Sequence, residues 1–170
     1  MKIDSYIKIP DIDLPDDFTN EPEKYFIHLD DKERILEYLD AIDERYVEGA
    51  LTIKYENLEI LDFELWDLIG SLWAYLLNAV EELLEHGKGE CYYPDQPIKL
   101  ELTSVGNGFL HLVIGEGKYG SYKIPKDTFL NTFLNEAEHF FGRFNEYFTS
   151  GHFNFHVAQI VKLKSKLNIK

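Results

Sequence analysis

The chain predicts an α+β fold: a two-layer domain in which a mostly antiparallel sheet carries two long helices on one face. Three observations lead there. Short apolar runs of period two stand close together and are separated by turn residues, which leaves no length for parallel crossovers. Two longer stretches, 65–86 and 126–148, repeat their apolar residues at the helical period. Finally, 45% of the 170 residues are hydrophobic and 15% aromatic, enough to fill the core of a single domain spanning 1–170.

The elements follow in order. Residues 1–20 are acidic and broken by Pro10 and Pro15. Ile3, Tyr6, Ile7 and Ile9 suit a short edge strand, and the rest reads as an extended acidic arm lying over the domain. Asp30 and Asp31 open a helix that sets Ile35, Leu36, Leu39 and Ile42 at helical spacing. Val47, Leu51, Ile53 and Tyr55 run to a Glu56-Asn57 turn, and Leu58, Ile60 and Leu61 return as a hairpin. Acids at 62 and 64 suit the positive end of a helix from Leu65 to His86, which Gly87 and Gly89 stop. Its apolar side, from Trp66 through Trp73 to Leu84, is too broad for one neighbour.

Cys91 to Pro97 reads as an irregular connection, because Pro94 and Pro97 bar a regular ladder. Ile98, Leu100 and Leu102, the turn Gly106-Asn107-Gly108, and Leu110, Leu112 and Ile114 make a second hairpin. Tyr119 to Ile124 adds a strand. Pro125 to Asp127 then start the second long helix, buried through Phe129, Phe133, Phe140, Phe144 and Phe148. In the lysine-containing tail, 152–170, Val157, Ile160, Val161 and Leu167 line a final helix.

Charge narrows the function. The net charge is -14, and it is uneven: residues 1–97 hold 25 acidic and 8 basic side chains, residues 98–170 six and nine. Phosphate neutralisation needs clustered Lys and Arg, so nucleic acid is disfavoured as a partner, as is an anionic membrane. A dense acidic field attracts basic proteins, and it also serves solubility. No apolar run is long enough for a bilayer, because Asp67, Asn78, Glu81 and Glu82 interrupt the most apolar stretch. The first residues lack a basic-then-apolar leader, and a lone cysteine forms no internal disulfide. Both point to a cytoplasmic home.

No catalytic signature emerges. Gly115-x-Gly117 falls between strands and suits a turn rather than a phosphate cradle. His152 and His156 are four apart, but Phe153-Asn154-Phe155 looks like a loop entering a helix, so no metal and no cofactor is expected. Cys91 has Glu90 and two tyrosines beside it, not a cation, and reads as a packed thiol. Glu64 and Asp67 suit a helix's first turn or a carboxylate pair. Trp73 reads as core, and Trp66 as core or the rim of a binding surface. The segment from Glu90 to Gln96 reads either as a proline-fixed crossover whose tyrosines pack on the core, or as a loop that exposes tyrosines, an acid and an amide on a rigid base. The expected partner surface is therefore Glu64, Trp66, Asp67, Glu90, Tyr92, Tyr93, Asp95 and Gln96.

A resemblance adds to this. The hairpin after Val47 leads into Phe63-Glu64-Leu65-Trp66-Asp67-Leu68-Ile69 and Leu72-Trp73-Ala74-Tyr75-Leu76. Tyr92-Tyr93-Pro94-Asp95-Gln96-Pro97-Ile98 follows, and Ile124-Pro125 leads into the Phe-rich helix ending near Phe141. In these motifs the chain resembles small cytosolic immunity proteins encoded beside bacterial polymorphic toxins. The resemblance implies a non-catalytic inhibitor that binds a cognate toxin, and a basic, nuclease-type toxin fits the acidic surface. It carries over no specific toxin-binding residue. Two other readings stand beside it: an enzyme or small-ligand-binding domain with an aromatic and carboxylate-lined site, and a structural protein that self-associates.

Overall fold

The computed structural model describes residues 1–149 and 151–169. The fold is α+β and its sheets are antiparallel, but the strands divide between two sheets rather than one. The first holds β1 (Lys2–Lys8), β2 (Phe26–His28), β3 (Glu48–Tyr55) and β4 (Leu58–Leu61) in the order β2-β1-β3-β4, with β5 (Asp67–Leu68) also on β3. The second is a meander of β6 (Lys88–Tyr92), β7 (Lys99–Gly106), β8 (Phe109–Ile114) and β9 (Gly120–Pro125). Of the helices, α1 (Lys32–Tyr38) is short; α2 (Ile69–His86) and α3 (Lys126–Tyr147) each touch strands of both sheets, and α4 (Asn154–Leu167) packs on both.

Residues 2–8 are neither an arm nor an edge strand. β1 lies between β2 and β3, with Ile3, Ser5 and Ile7 buried in strict alternation. Pro10 misled because a proline inside a ladder would force an edge, yet it stands beyond the last pairing residue, Lys8. Ser5 is the one polar residue on that inward face. Its hydroxyl accepts the Trp73 indole N–H at 2.9 Å, which lets a tryptophan sit fully buried without an orphaned donor.

The first long helix begins at Ile69, four residues later than its apolar pattern predicts. Asp62 caps a single turn at Phe63–Leu65, accepting the Glu64 amide at 2.9 Å, and Asp67–Leu68 then pair with Gly49 and Glu48 of β3. The strand and the helix both want apolar residues here, so periodicity alone could not separate them. Gly87, at φ +77°, ends α2 in the left-handed conformation. Gly89 permits the close approach of β6 to α2: a Cβ there would stand 1.8 Å from the Ala79 carbonyl oxygen.

The core is aromatic. Trp73 stacks on Phe140 at 5.5 Å between centroids, Phe133 lies against the same indole, and Phe129, Phe141 and Phe144 extend the cluster along α3. On α4 the inward residues are Gln159, Ile160, Leu163 and Lys164, whereas Val157 and Val161 point outward, against expectation. Phe153, at the start of α4, sets its angle by seating its ring over Gly70. Leu36 of α1 is likewise exposed.

Candidate functional site

Two segments that are remote in sequence are stitched into one cleft. The Asp67 carboxylate accepts the Leu68 amide at 2.6 Å and the Asp95 amide at 3.2 Å, and the Gln96 side-chain amide donates to the Trp66 carbonyl at 2.6 Å. These bonds fix the loop between β6 and β7 against β5 and leave a cleft of about 240 Å³ lined by Glu48, Trp66, Asp67, Leu68, Asp95 and Gln96. Asp67 is only 3% exposed. Burial raises its carboxyl above the ordinary carboxylate range, and the two backbone amides pull it part of the way back. Beside the cleft, the Lys8 ammonium sits 5.1 Å from the Trp66 ring centroid and 2.8 Å from the Glu48 carboxylate.

The structure thus brings together four of the eight expected site residues: Trp66, Asp67, Asp95 and Gln96. Asp67 does not belong to a helix's first turn, and its side chain holds the loop from inside. Tyr93 is 2% exposed, so it is no surface anchor; its hydroxyl has no hydrogen-bond partner, and burial pushes its pKa up, making it a weaker acid than a free phenol. Glu90, Cys91 and Tyr92 lie in β6 rather than in irregular chain. The prolines fall past the end of that strand, which is why they do not prevent it. Glu90 pairs with Lys99 at 2.9 Å and Lys88 at 3.2 Å, and these bonds hold its carboxyl below the ordinary range. Tyr92 is 57% exposed and borders a separate groove with Tyr119 and Lys118. Glu64 is exposed on its single turn, outside the cleft. The Cys91 thiol is pushed up to about 12 by burial, which makes it a poor nucleophile.

Lys8 and Glu48 were missed. They reach the cleft because β1 and β3 are neighbours with Ile7 opposite Gly49. That pairing was invisible while β1 read as an edge strand.

A larger cavity, about 460 Å³, opens where β1 and β2 meet α3. His28 and His139 line it with Asp4, Asp30 and Glu136. The His139 ring nitrogen Nε2 lies 2.8 Å from the Asp30 carboxylate, which also accepts from the Arg143 guanidinium at 3.0 Å. His28 Nδ1 accepts the Asp30 amide, placing its Nε2 toward Asp4 at 3.4 Å. Lys2 holds Asp4 at 2.7 Å. The two histidines lie on different elements, and no local motif announces them. Among the described residues no group of three or more His, Cys, Asp or Glu side chains is placed to hold a metal ion. His152 precedes α4 and His156 lies within it, so the pair does not share a helical face. His156 instead stacks on Phe141, with Phe153 and Phe155 around it, and burial lowers its basicity.

The third feature is a surface. Between Asp11 and Glu44 the chain carries 13 carboxylates and three basic side chains. Among the described residues only Glu21, Asp30 and Asp43 of these have an ion-pair partner. The two ends of this span meet in space. Pro10 and Asp11 face Ala41 to Tyr46 across a shallow groove, and Arg34 of α1 donates to the Glu23 carbonyl at 3.3 Å. Phe18 packs its ring against Tyr25 and Phe26, tying the intervening turns to the outer side of the sheet. Leu36 and Tyr46 project from this acidic region, both largely exposed.

No family model, curated protein or solved structure matches the chain. Among the described residues no helix is long and apolar enough to cross a membrane.

Proposed function

We propose that the chain is a non-catalytic protein inhibitor of the immunity type, acting in the bacterial cytoplasm by covering the phosphate-seeking cleft of a basic, nuclease-type toxin domain. The observation that carries this reading is the uncompensated acidity of residues 11–44. Ten carboxylates without a cationic partner repel one another, and a compact fold gains nothing from crowding them. A basic surface would neutralise them and be captured faster for it. Leu36 and Tyr46 supply apolar contact within the charged surround. The resemblance to immunity proteins supports the same reading, and inhibition by occlusion requires no catalytic group of its own. Trp66, Asp95, Gln96, Glu64 and Tyr92 extend the contact surface, with Asp67 at the floor of the cleft and Tyr93 beneath it.

The test is co-expression with the toxin domain encoded beside this gene. A stable complex, protected cells and an association rate that falls steeply with salt are expected. Unprotected cells and no complex would sink the proposal.

A further inference from the structure

We propose that the cleft between β5 and the loop after β6 is a socket for one arginine side chain of the basic partner, with Trp66 as its stacking wall and Asp67 and Asp95, beside the Lys8-paired Glu48, as its charge partners. This rests on the inhibitor reading above and gives it a point of specificity.

Three observations converge on the socket. Asp67 lines the cleft, is 3% exposed, and is held by the backbone amides of Leu68 and Asp95 and by the Gln96 side chain, with no cation against it. A buried carboxylate without a counter-cation is costly, and an entering cation would remove that cost. A carboxylate has about four lone-pair positions, so these donors leave acceptor capacity open. Second, the chain already displays this recognition in miniature. Lys8 places its ammonium over the Trp66 ring and against Glu48, one cation held by one aromatic face and one carboxylate on the rim of the same cleft. Third, the lining offers acceptors and almost no donors. The Gln96 amide nitrogen is turned to the Trp66 carbonyl and to Asp67, which leaves three carboxylates to meet a cation.

Size and shape select the ligand. At about 240 Å³ the cleft is smaller than the sites that enclose whole drug-sized molecules, but it suits one inserted side chain. A guanidinium is planar, stacks on an aromatic face and carries five donors, matching a wall of indole and a floor of acceptors. An ammonium is a more strongly hydrated point charge that cannot use both.

Trp66 reports on the socket directly. The other tryptophan, Trp73, is fully buried, so a change in emission on adding a small solute belongs to Trp66. Acetyl-arginine-amide should give a saturable change at low salt. Acetyl-lysine-amide should bind at least about tenfold more weakly and acetyl-citrulline-amide not at all. Asp67 also holds the loop, so the charge test uses Glu48→Gln with Asp95→Asn, which should weaken the arginine response about tenfold or more. A citrulline or lysine probe that binds as well as arginine would overturn the socket, as would an unchanged response in the double variant. The two proposals fail separately. Toxin capture with full affinity by the double variant removes the socket and leaves the inhibitor. Arginine binding without any toxin complex leaves the socket and removes the inhibitor.

Discussion

The acidic region, residues 11–48, and the second sheet, residues 88–125, are both rich in charge, and they handle it in opposite ways. On the second sheet charges are matched across strands. Lys88, Glu90, Lys99 and Glu101 form one ladder of ion pairs at 2.9–3.5 Å, while Lys118 and Lys123 lie over the rings of Tyr119 and Phe109. In the acidic region most carboxylates face solvent with no cation near them. One surface satisfies itself, and the other is complete only with something brought from outside. Lys8 marks the boundary, the one basic side chain of β1 that reaches the cleft.

The contrast can be attacked first at the core that both regions share. Phe140→Ala should cost about 3–5 kcal/mol, since it empties a fully buried site beside Trp73. Urea denaturation measures it, and an unchanged midpoint would mean that the two sheets do not depend on this cluster. Next comes the acidic surface. Asp13→Asn, Asp16→Asn and Asp17→Asn together should shift stability by no more than about 0.5 kcal/mol, because these side chains make no contact worth more. The same variant should slow association with the basic partner at low salt, an effect that fades as ionic strength rises. If stability dropped instead, these acids would be part of the fold.

A smaller effect is expected at His156. Burial lowers its basicity, so the folded state prefers the neutral ring. The unfolded chain takes up its proton near pH 6.5, the folded chain lower. Stability from this group is therefore complete above that value and declines as pH falls through it. His156→Leu should flatten the stability profile in that window. The smallest effect on binding belongs to the second sheet. Lys99→Met breaks two half-exposed pairs, should change stability by no more than about 1 kcal/mol, and should leave partner binding untouched. Weakened binding there would erase the distinction between the two regions.

Much of the fold was legible because its signals were local. The turns at Glu56-Asn57 and Gly106-Asn107-Gly108, the alternation from Ile98 to Ile114 and the Phe stripe of α3 each carry their own period or backbone demand. What misled was the placement of elements in space. Nothing in Lys2–Lys8 says which strands will flank it, and Val157 and Val161 look as apolar as Ile160 until α2 and α3 choose the inward face. Half of the expected site gathered in the cleft because Trp66-Asp67 and Asp95-Gln96 flank segments that must meet. Lys8 and Glu48 required the sheet order. The pairing of His139 with Asp30 bridges α3 and the entry to α1, a contact across 109 positions that no window of sequence contains.

The central position of β1 has a consequence for how the chain assembles. β1 can pair early with the nearby β2, but its other flank has no partner until β3, more than 40 residues later in the chain, has also formed. Until then the β3-facing flank of β1 stays open, and the first sheet can close only through a long loop, which slows folding. Shortening the chain by these few residues would divide the sheet and bare the flanks of β2 and β3, two unpaired edges open to strands from other molecules.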